Sequence, residues 1–267
     1  MLSSRDELKK LKKCTLLVGS VPICYYYNKG KGTPIILLHG GAGSSADWYQ
    51  EAEYFRKRGR TIIIPDFRGA GYSGWSGKMS DYTLPVLAQD IFAIITREKL
   101  GKAIVAGFSF GSFVAAELYK RHPECVKKLF LISTSELPVY IKPIQVILAL
   151  FFRLMFAIAP SWRLSPPYAE YSLFKHIGDL NLVFIGSLVL TSSLKTIGGT
   201  FAQIVTYKSS ELEKAPVVLI HGKNDFWAPC YRTERMAKKI NKRLISINSN
   251  HLSIFNNPDE ICRAIEE

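Results

Sequence analysis

Short apolar runs, rich in Ile, Val and Leu and bounded by glycine, proline, asparagine or charged residues, recur along the chain. They lie at residues 34–38, 61–64, 103–106, 129–132, 217–220 and 244–247. Such runs suit strands buried on both faces. Two earlier segments, 15–18 and 21–27, flank Gly19-Ser20 and predict an N-terminal hairpin. Between the runs the period changes. Residues 46–58, 84–100, 110–121, 231–240 and 258–266 read as helices; Thr83 fits an N-cap, and Gly59, Gly101 and Pro123 mark stops. Strands alternating with helices predict an α/β fold, a mostly parallel sheet with helices on both faces.

One segment breaks the alternation. Residues 137–213 show no buried-strand pattern, are rich in Leu, Ile, Phe and Tyr, and are punctuated by Pro138, Pro143, Pro160, Pro166 and Pro167. They predict a helical insertion that divides a core made of residues 1–136 and 214–267. Within it, residues 146–156 are apolar around most of a helix, as in helices that are buried or meet lipid. The expectation is a cap lining a pocket for an acyl chain or another apolar group, with Phe108 and Trp75 contributing; the alternative is a cap packed only on the core. The most apolar stretch, 144–159, is shorter than the ~20 residues of a membrane span, and Arg153 interrupts it.

Composition narrows the class. The chain has 267 residues, 48% hydrophobic and 21% charged, which excludes a disordered or collagenous protein and suffices for a core without disulfide or metal staples. Lys and Arg exceed Asp and Glu, 35 to 22, for a net charge of +13. That balance permits contact with anionic surfaces. No basic block interleaved with aromatic residues suggests nucleic acid, so weak peripheral contact with an anionic membrane is the expectation it supports. Five cysteines, an odd count with no C-x-x-C pair, argue against a disulfide framework or a zinc site and favour a reducing compartment. The start, MLSSRDELKKLKKC, lacks the apolar core of a signal peptide. Together these predict a cytoplasmic protein.

Gly107-Phe108-Ser109-Phe110-Gly111 matches G-x-S-x-G, with a predicted strand before it and a predicted helix after it. That context lifts a serine hydroxyl above the carboxyl ends of the strands, where open α/β sheets bind ligands. A serine needs a base, and the base an orienting acid. His251, after the turn Asn248-Ser249-Asn250, is the best base. Asp225, just past the strand 217–220, is the best acid, with Glu136 as a rival. Asp66 reads as a loop-ordering residue, and His39 and His221 as structural strand-end residues. His122 ends a helix and His176 lies in the insertion. Ser112 reads as a packing or capping residue. The turn His39-Gly40-Gly41-Ala42-Gly43 offers backbone donors, and the N–H groups of Gly41 and Phe110 are the candidate oxyanion hole. No phosphate-binding glycine motif is present, and the chemistry calls for neither metal nor cofactor.

With these residues in view the sequence resembles the α/β-hydrolase family, in its cap-bearing branch. HGGAG, DFRGAGYS and GFSFG follow three successive strands, HGKNDFWAP follows a later one, and a late histidine precedes the last helix; the likeness runs from about Tyr25 to the end. The order Ser109, Asp225, His251 is the order of this family. The resemblance implies an eight-stranded sheet and places the insertion over Ser109. The HGGAG turn is similar to that of prolyl aminopeptidases, but Ala42 stands where they carry proline and their elbow differs from GFSFG. Haloalkane dehalogenases and epoxide hydrolases carry aspartate where this chain has Ser109. The expectation is a serine hydrolase acting on a small, apolar carboxylic ester. C–C bond hydrolases, thioesterases, acyltransferases and a low-turnover ligand-binding receptor remain as alternatives.

Overall fold

The computed structural model describes residues 8–135, 150–151, 154 and 212–267. Strands β1 (Lys12–Val18) and β2 (Val21–Asn28) form the expected antiparallel hairpin. Gly19 takes φ 62° in the two-residue link, a conformation that favours glycine. β3 (Lys31–Leu38), β4 (Arg60–Pro65), β5 (Ala103–Phe108), β6 (Val126–Ile132), β7 (Val217–Gly222) and β8 (Arg243–Ile247) complete an eight-stranded sheet. Its order is β1-β2-β4-β3-β5-β6-β7-β8. Only the pairings of β2, with β1 and with β4, are antiparallel; the rest are parallel.

Alternation along each strand divides the core in two. Ile36, Leu38, Ile63, Val105, Leu129, Leu131 and Leu219 face one side; Ile35, Leu37, Ile62, Ile64, Ala106, Phe130, Ile132 and Ile220 face the other. Helices α2 (Leu84–Arg97), α3 (Phe110–Arg121) and α4 (Cys230–Lys239) cover the first side. Helices α1 (Tyr49–Lys57), α5 (Ser253–Asn256) and α6 (Pro258–Glu266) cover the second. Strands apolar at every position are thus the signature of a sheet with two buried faces.

Two predicted helices end differently. The pattern at 46–58 is a 3-10 turn, Ser45–Trp48, followed by α1. The cause is a capping box: the Ser44 hydroxyl accepts from the Ala46 N–H at 3.3 Å, and Asp47 reaches back to the Ser44 N–H. The pattern at 84–100 stops as α2 at Arg97, because Lys99 and Gly101 take φ 52° and 64°. The insertion at 137–213 lies almost wholly outside the described residues; Leu150, Phe151 and Leu154 within it are exposed. No helix among the described residues is long and apolar enough to cross a membrane.

The topology fixes where a ligand fits. The chain leaves β3 for β4 on one side and returns to β5 on the other, so the strand order reverses at β3. Open sheets bind ligands at the carboxyl ends beside such a reversal. Leu38 and Phe108, the last residues of β3 and β5, lie there, and Ser109 follows Phe108.

Candidate active site

Ser109 sits at a backbone corner between β5 and α3, with φ 48° and ψ −111°. L-residues avoid this region, at a cost of about 1–3 kcal/mol. Its surroundings hold it there. The Ser109 N–H donates to Ile132 O at 2.8 Å. The Ser112 hydroxyl donates to Gly107 O at 2.7 Å and accepts from the Ile132 N–H at 3.1 Å, so Ser112 braces the corner, the packing role expected of it. Both glycines are sterically required. A Cβ on Gly107 would stand 2.3 Å from Gly111 O, and one on Gly111 would stand 2.3 Å from Leu38 O.

The loops after β7 and β8 are tied to each other. Lys223 N–H donates to Ile247 O at 2.9 Å and Asn224 N–H to Ser249 O at 3.0 Å; a Cβ on Gly222 would stand 2.4 Å from Ser249 O. Asp225 leaves the first loop and His251 the second. His251 Nδ1 lies 2.8 Å from Asp225 Oδ2, and His251 Nε2 lies 3.1 Å from Ser109 Oγ. These distances make a continuous hydrogen-bonded relay from a buried carboxylate to a hydroxyl. Asn250 Oδ1 accepts from the Leu252 N–H at 3.0 Å and holds the turn that presents His251. The Ser133 and Ser253 hydroxyls, 2.8 Å apart, join the end of β6 to α5 behind it. Phe108, expected in a pocket, is buried with its ring 5.6 Å from the imidazole and 6.2 Å from Phe255; it supports His251 from beneath. Trp75, in the loop after β4, is 48% exposed.

Burial alone would raise the Asp225 carboxyl. Hydrogen bonds from His221, His251 and the Ala228 N–H prevail and hold it far below the usual carboxylate range, so it is ionised whenever the protein is folded near neutrality. His221, expected as a structural strand-end residue, is buried at the end of β7 and also meets the acid. Its Nε2 lies 3.1 Å from Asp225 Oδ2 and 2.6 Å from Ala228 O, and its Nδ1 lies 3.0 Å from Thr233 Oγ1. The signal was present: His221 and Asp225 are four residues apart across a tight loop after one strand.

The other candidates fall elsewhere. His39 donates from Nδ1 to Gly40 O at 2.8 Å and accepts the Phe67 N–H at Nε2, 3.0 Å, which fits a neutral ring. Burial pulls it down to about 4, so it carries no charge near neutrality. Asp66 orders its loop by accepting the Ser45 and Tyr72 N–H groups at 2.7 and 2.8 Å. His122 stacks on Phe92 with ring centres 3.6 Å apart. Glu136 and His176 lie outside the described residues. In the glycine turn after β3, Asp47 accepts the Gly40 N–H at 3.2 Å, and Ala42 takes φ 61°. The N–H groups of Gly41 and Phe110 have no hydrogen-bond partner among the described residues. Asp47 was not anticipated as a support of this turn, although the Ser44-x-x-Asp47 spacing announces it.

Residues 33–160 match a family model described as alpha/beta hydrolase fold. Among curated relatives, Protein ABHD8 of Mus musculus is 24% identical over 251 residues, covering 90% of this chain and 56% of that protein. The chain therefore spans little more than half the length of that relative. AB hydrolase superfamily protein YisY of Bacillus subtilis is 27% identical over 245 residues, covering 87% of this chain and 90% of that protein. Among solved structures, a thermophilic esterase from Thermogutta terrifontis superposes with a TM-score of 0.73 at 19% identity, covering 96% of this chain and 97% of that one. A likeness at that identity shows the fold.

Proposed function

We propose that this chain, an α/β-hydrolase by its fold and by the family model it matches, is a serine hydrolase cleaving a carboxylic ester with an apolar acyl or alkyl group. The observation that carries the reading is the unbroken relay of 3.1 and 2.8 Å from Ser109 through His251 to Asp225. His251 Nε2 takes the Ser109 proton as Oγ attacks the ester carbonyl. The carbonyl oxygen becomes an oxyanion, and the N–H groups of Gly41 and Phe110 receive it. Asp225 fixes the His251 tautomer with Nδ1–H donated and stabilises the imidazolium that forms. The imidazolium then gives its proton to the departing alkoxide, leaving an acyl-Ser109. Water, deprotonated by His251, releases the acid and restores the serine. Each oxyanion donor contributes roughly 100- to 1,000-fold in turnover.

The substrate reading rests on the insertion. Residues 137–213 form a helical cap over Ser109 in this proposal, and their apolar side chains, with Trp75, line the acyl site. Five free cysteines fit a reducing compartment, and we assign the protein to the cytoplasm, with weak peripheral contact to anionic membranes.

The test is hydrolysis of p-nitrophenyl esters from acetate to palmitate, by wild type and Ser109→Ala. The expected outcome is turnover with a chain-length optimum, falling roughly 10⁴- to 10⁶-fold in the variant. Equal turnover by Ser109→Ala would overturn the mechanism. Folded protein inert on every ester would overturn the ester reading and shift the assignment to another acyl or C–C bond substrate.

A further inference from the structure

Asp225 Oδ2 meets two imidazoles. One belongs to His251, at 2.8 Å, and the other to His221, at 3.1 Å. Neither the His221 nor the Asp225 side chain has any exposure, so no bulk water competes for these contacts. Proton accounting assigns the His221 tautomer. Among the described residues Nε2 faces only acceptors, Asp225 Oδ2 and Ala228 O, and therefore carries a proton. On the far side, Nδ1 meets the Thr233 hydroxyl, itself 2.8 Å from Thr134 O. If that hydroxyl gives its proton to Nδ1, the ring is neutral; if it gives it to Thr134 O, Nδ1 is protonated too. Both arrangements present Nε2–H to the carboxylate.

We propose that His221 is a positioning residue for the relay: its Nε2–H holds the Asp225 oxygen that also takes the His251 proton, and so sets how strongly that carboxylate supports His251 as base. The proposal rests on the reading of Ser109, His251 and Asp225 as the reacting set. An oxygen that accepts two N–H groups is less basic than one that accepts a single group, and pulls less on each. His221 is itself fixed from three sides: β7 carries it, α4 supplies Thr233, and the loop after β6 supplies Thr134. The same carboxylate also accepts the Ala228 N–H at its other oxygen, 2.8 Å away, which keeps it in place when His221 is changed. Among the described residues, the titratable groups facing Asp225 are His221 from β7, His251 from the loop after β8 and Cys230 from the first turn of α4. Burial first, then Glu234 and Asp225, push the Cys230 thiol up, so it adds no charge near neutrality.

The experiment is Ser109 labelling by a fluorophosphonate across a pH series, with the full chain as wild type, His221→Phe and His221→Gln. In wild type the labelling rate rises with pH to a plateau. In His221→Phe, which fills the site without a donor, the rising limb moves to higher pH by about one unit. In His221→Gln, whose amide restores a donor at the same reach, the limb returns toward the wild-type position. A limb unmoved in His221→Phe, or displaced equally in both variants, would overturn the proposal. A wild type that takes no label from any fluorophosphonate would sink the serine-hydrolase reading itself, a distinct result. Should His221→Phe not fold, long-range ¹H–¹⁵N spectra of the wild-type histidines decide the matter: Nε2 of His221 protonated is the expected state, and Nε2 unprotonated would overturn the proposal without any variant.

Discussion

Glu51 shows what one buried group can do to the response to pH. It lies in α1 with no exposure, and neither carboxylate oxygen hydrogen-bonds to another described residue. Burial raises it well above the usual carboxyl range; its own backbone N–H offsets part of this, and the Asp47 and Asp259 carboxylates reinforce it. In the unfolded chain the same group ionises near 4.5. The folded protein therefore holds the extra proton, and the stabilisation present below that pH is lost as pH rises toward the folded value. Glu51→Gln has the same shape and no titration. The melting temperature of the variant minus that of wild type is expected to widen by at least about 2–4 °C between roughly pH 4 and pH 8, the equivalent of ~1 kcal/mol in a protein of this size. A difference that stays flat over that interval would show that Glu51 finds a stabilised charged state. Nothing in the local sequence marked Glu51, because an acidic residue in a helix pattern reads as a solvated face. Its burial comes from packing against α6, where Ile261, Cys262 and Ile265 are buried in the core on α1's side of the sheet.

At the scale of elements, the loop after β4 is pinned to α2 by a bidentate ion pair. Arg68 Nε and Nη2 donate to Asp90 Oδ2 and Oδ1 at 2.6 and 2.7 Å, with side chains 8% and 3% exposed. Removing one partner leaves a buried charge unpaired, so Asp90→Ala is expected to lower stability by about 3–5 kcal/mol in urea denaturation with the slope unchanged. Replacing both with apolar residues, Arg68→Met with Asp90→Leu, should recover most of that loss. If the double variant is no better than the single, the pair contributes more than the avoidance of an unpaired charge. This long-range contact was not legible in the sequence, and neither were the ties between the loops after β7 and β8. What was legible is local: the strands announce themselves by unbroken apolar runs, the hairpin by Gly19-Ser20, and the elbow by two glycines that leave no room for a Cβ. Element ends were legible where a breaker is a residue type, as at Pro123, and not where it is a conformation, as at Lys99 with φ 52°. The sequence shows His221 at the end of a strand and Asp225 just past it, but that the loop turns one toward the other is a property of the fold alone.

For the whole molecule, the excess of positive charge and the exposed large side chains bear on where it works. The net charge is +13, and among the described residues Leu17, Leu150, Phe151, Leu154, Phe226 and Trp227 are more than half exposed. Apolar side chains on a basic protein favour an anionic bilayer surface, where each Lys or Arg close to the headgroups contributes about 1 kcal/mol and the attraction fades within a Debye length. Sedimentation with phosphatidylserine-containing vesicles at low salt is therefore expected to carry down a larger fraction of the protein than phosphatidylcholine vesicles do. Raising the salt toward about 1 M, where the Debye length falls to ~3 Å, should abolish most of that difference. Binding that is equal on the two lipids would remove charge from the account and leave the apolar side chains alone. No binding to either would take membrane contact out of the account for these exposed side chains. The vesicle experiment thus tests exposed side chains alone, and the acyl-binding role proposed for residues 137–213 stands or falls separately, on whether p-nitrophenyl esters show a chain-length optimum.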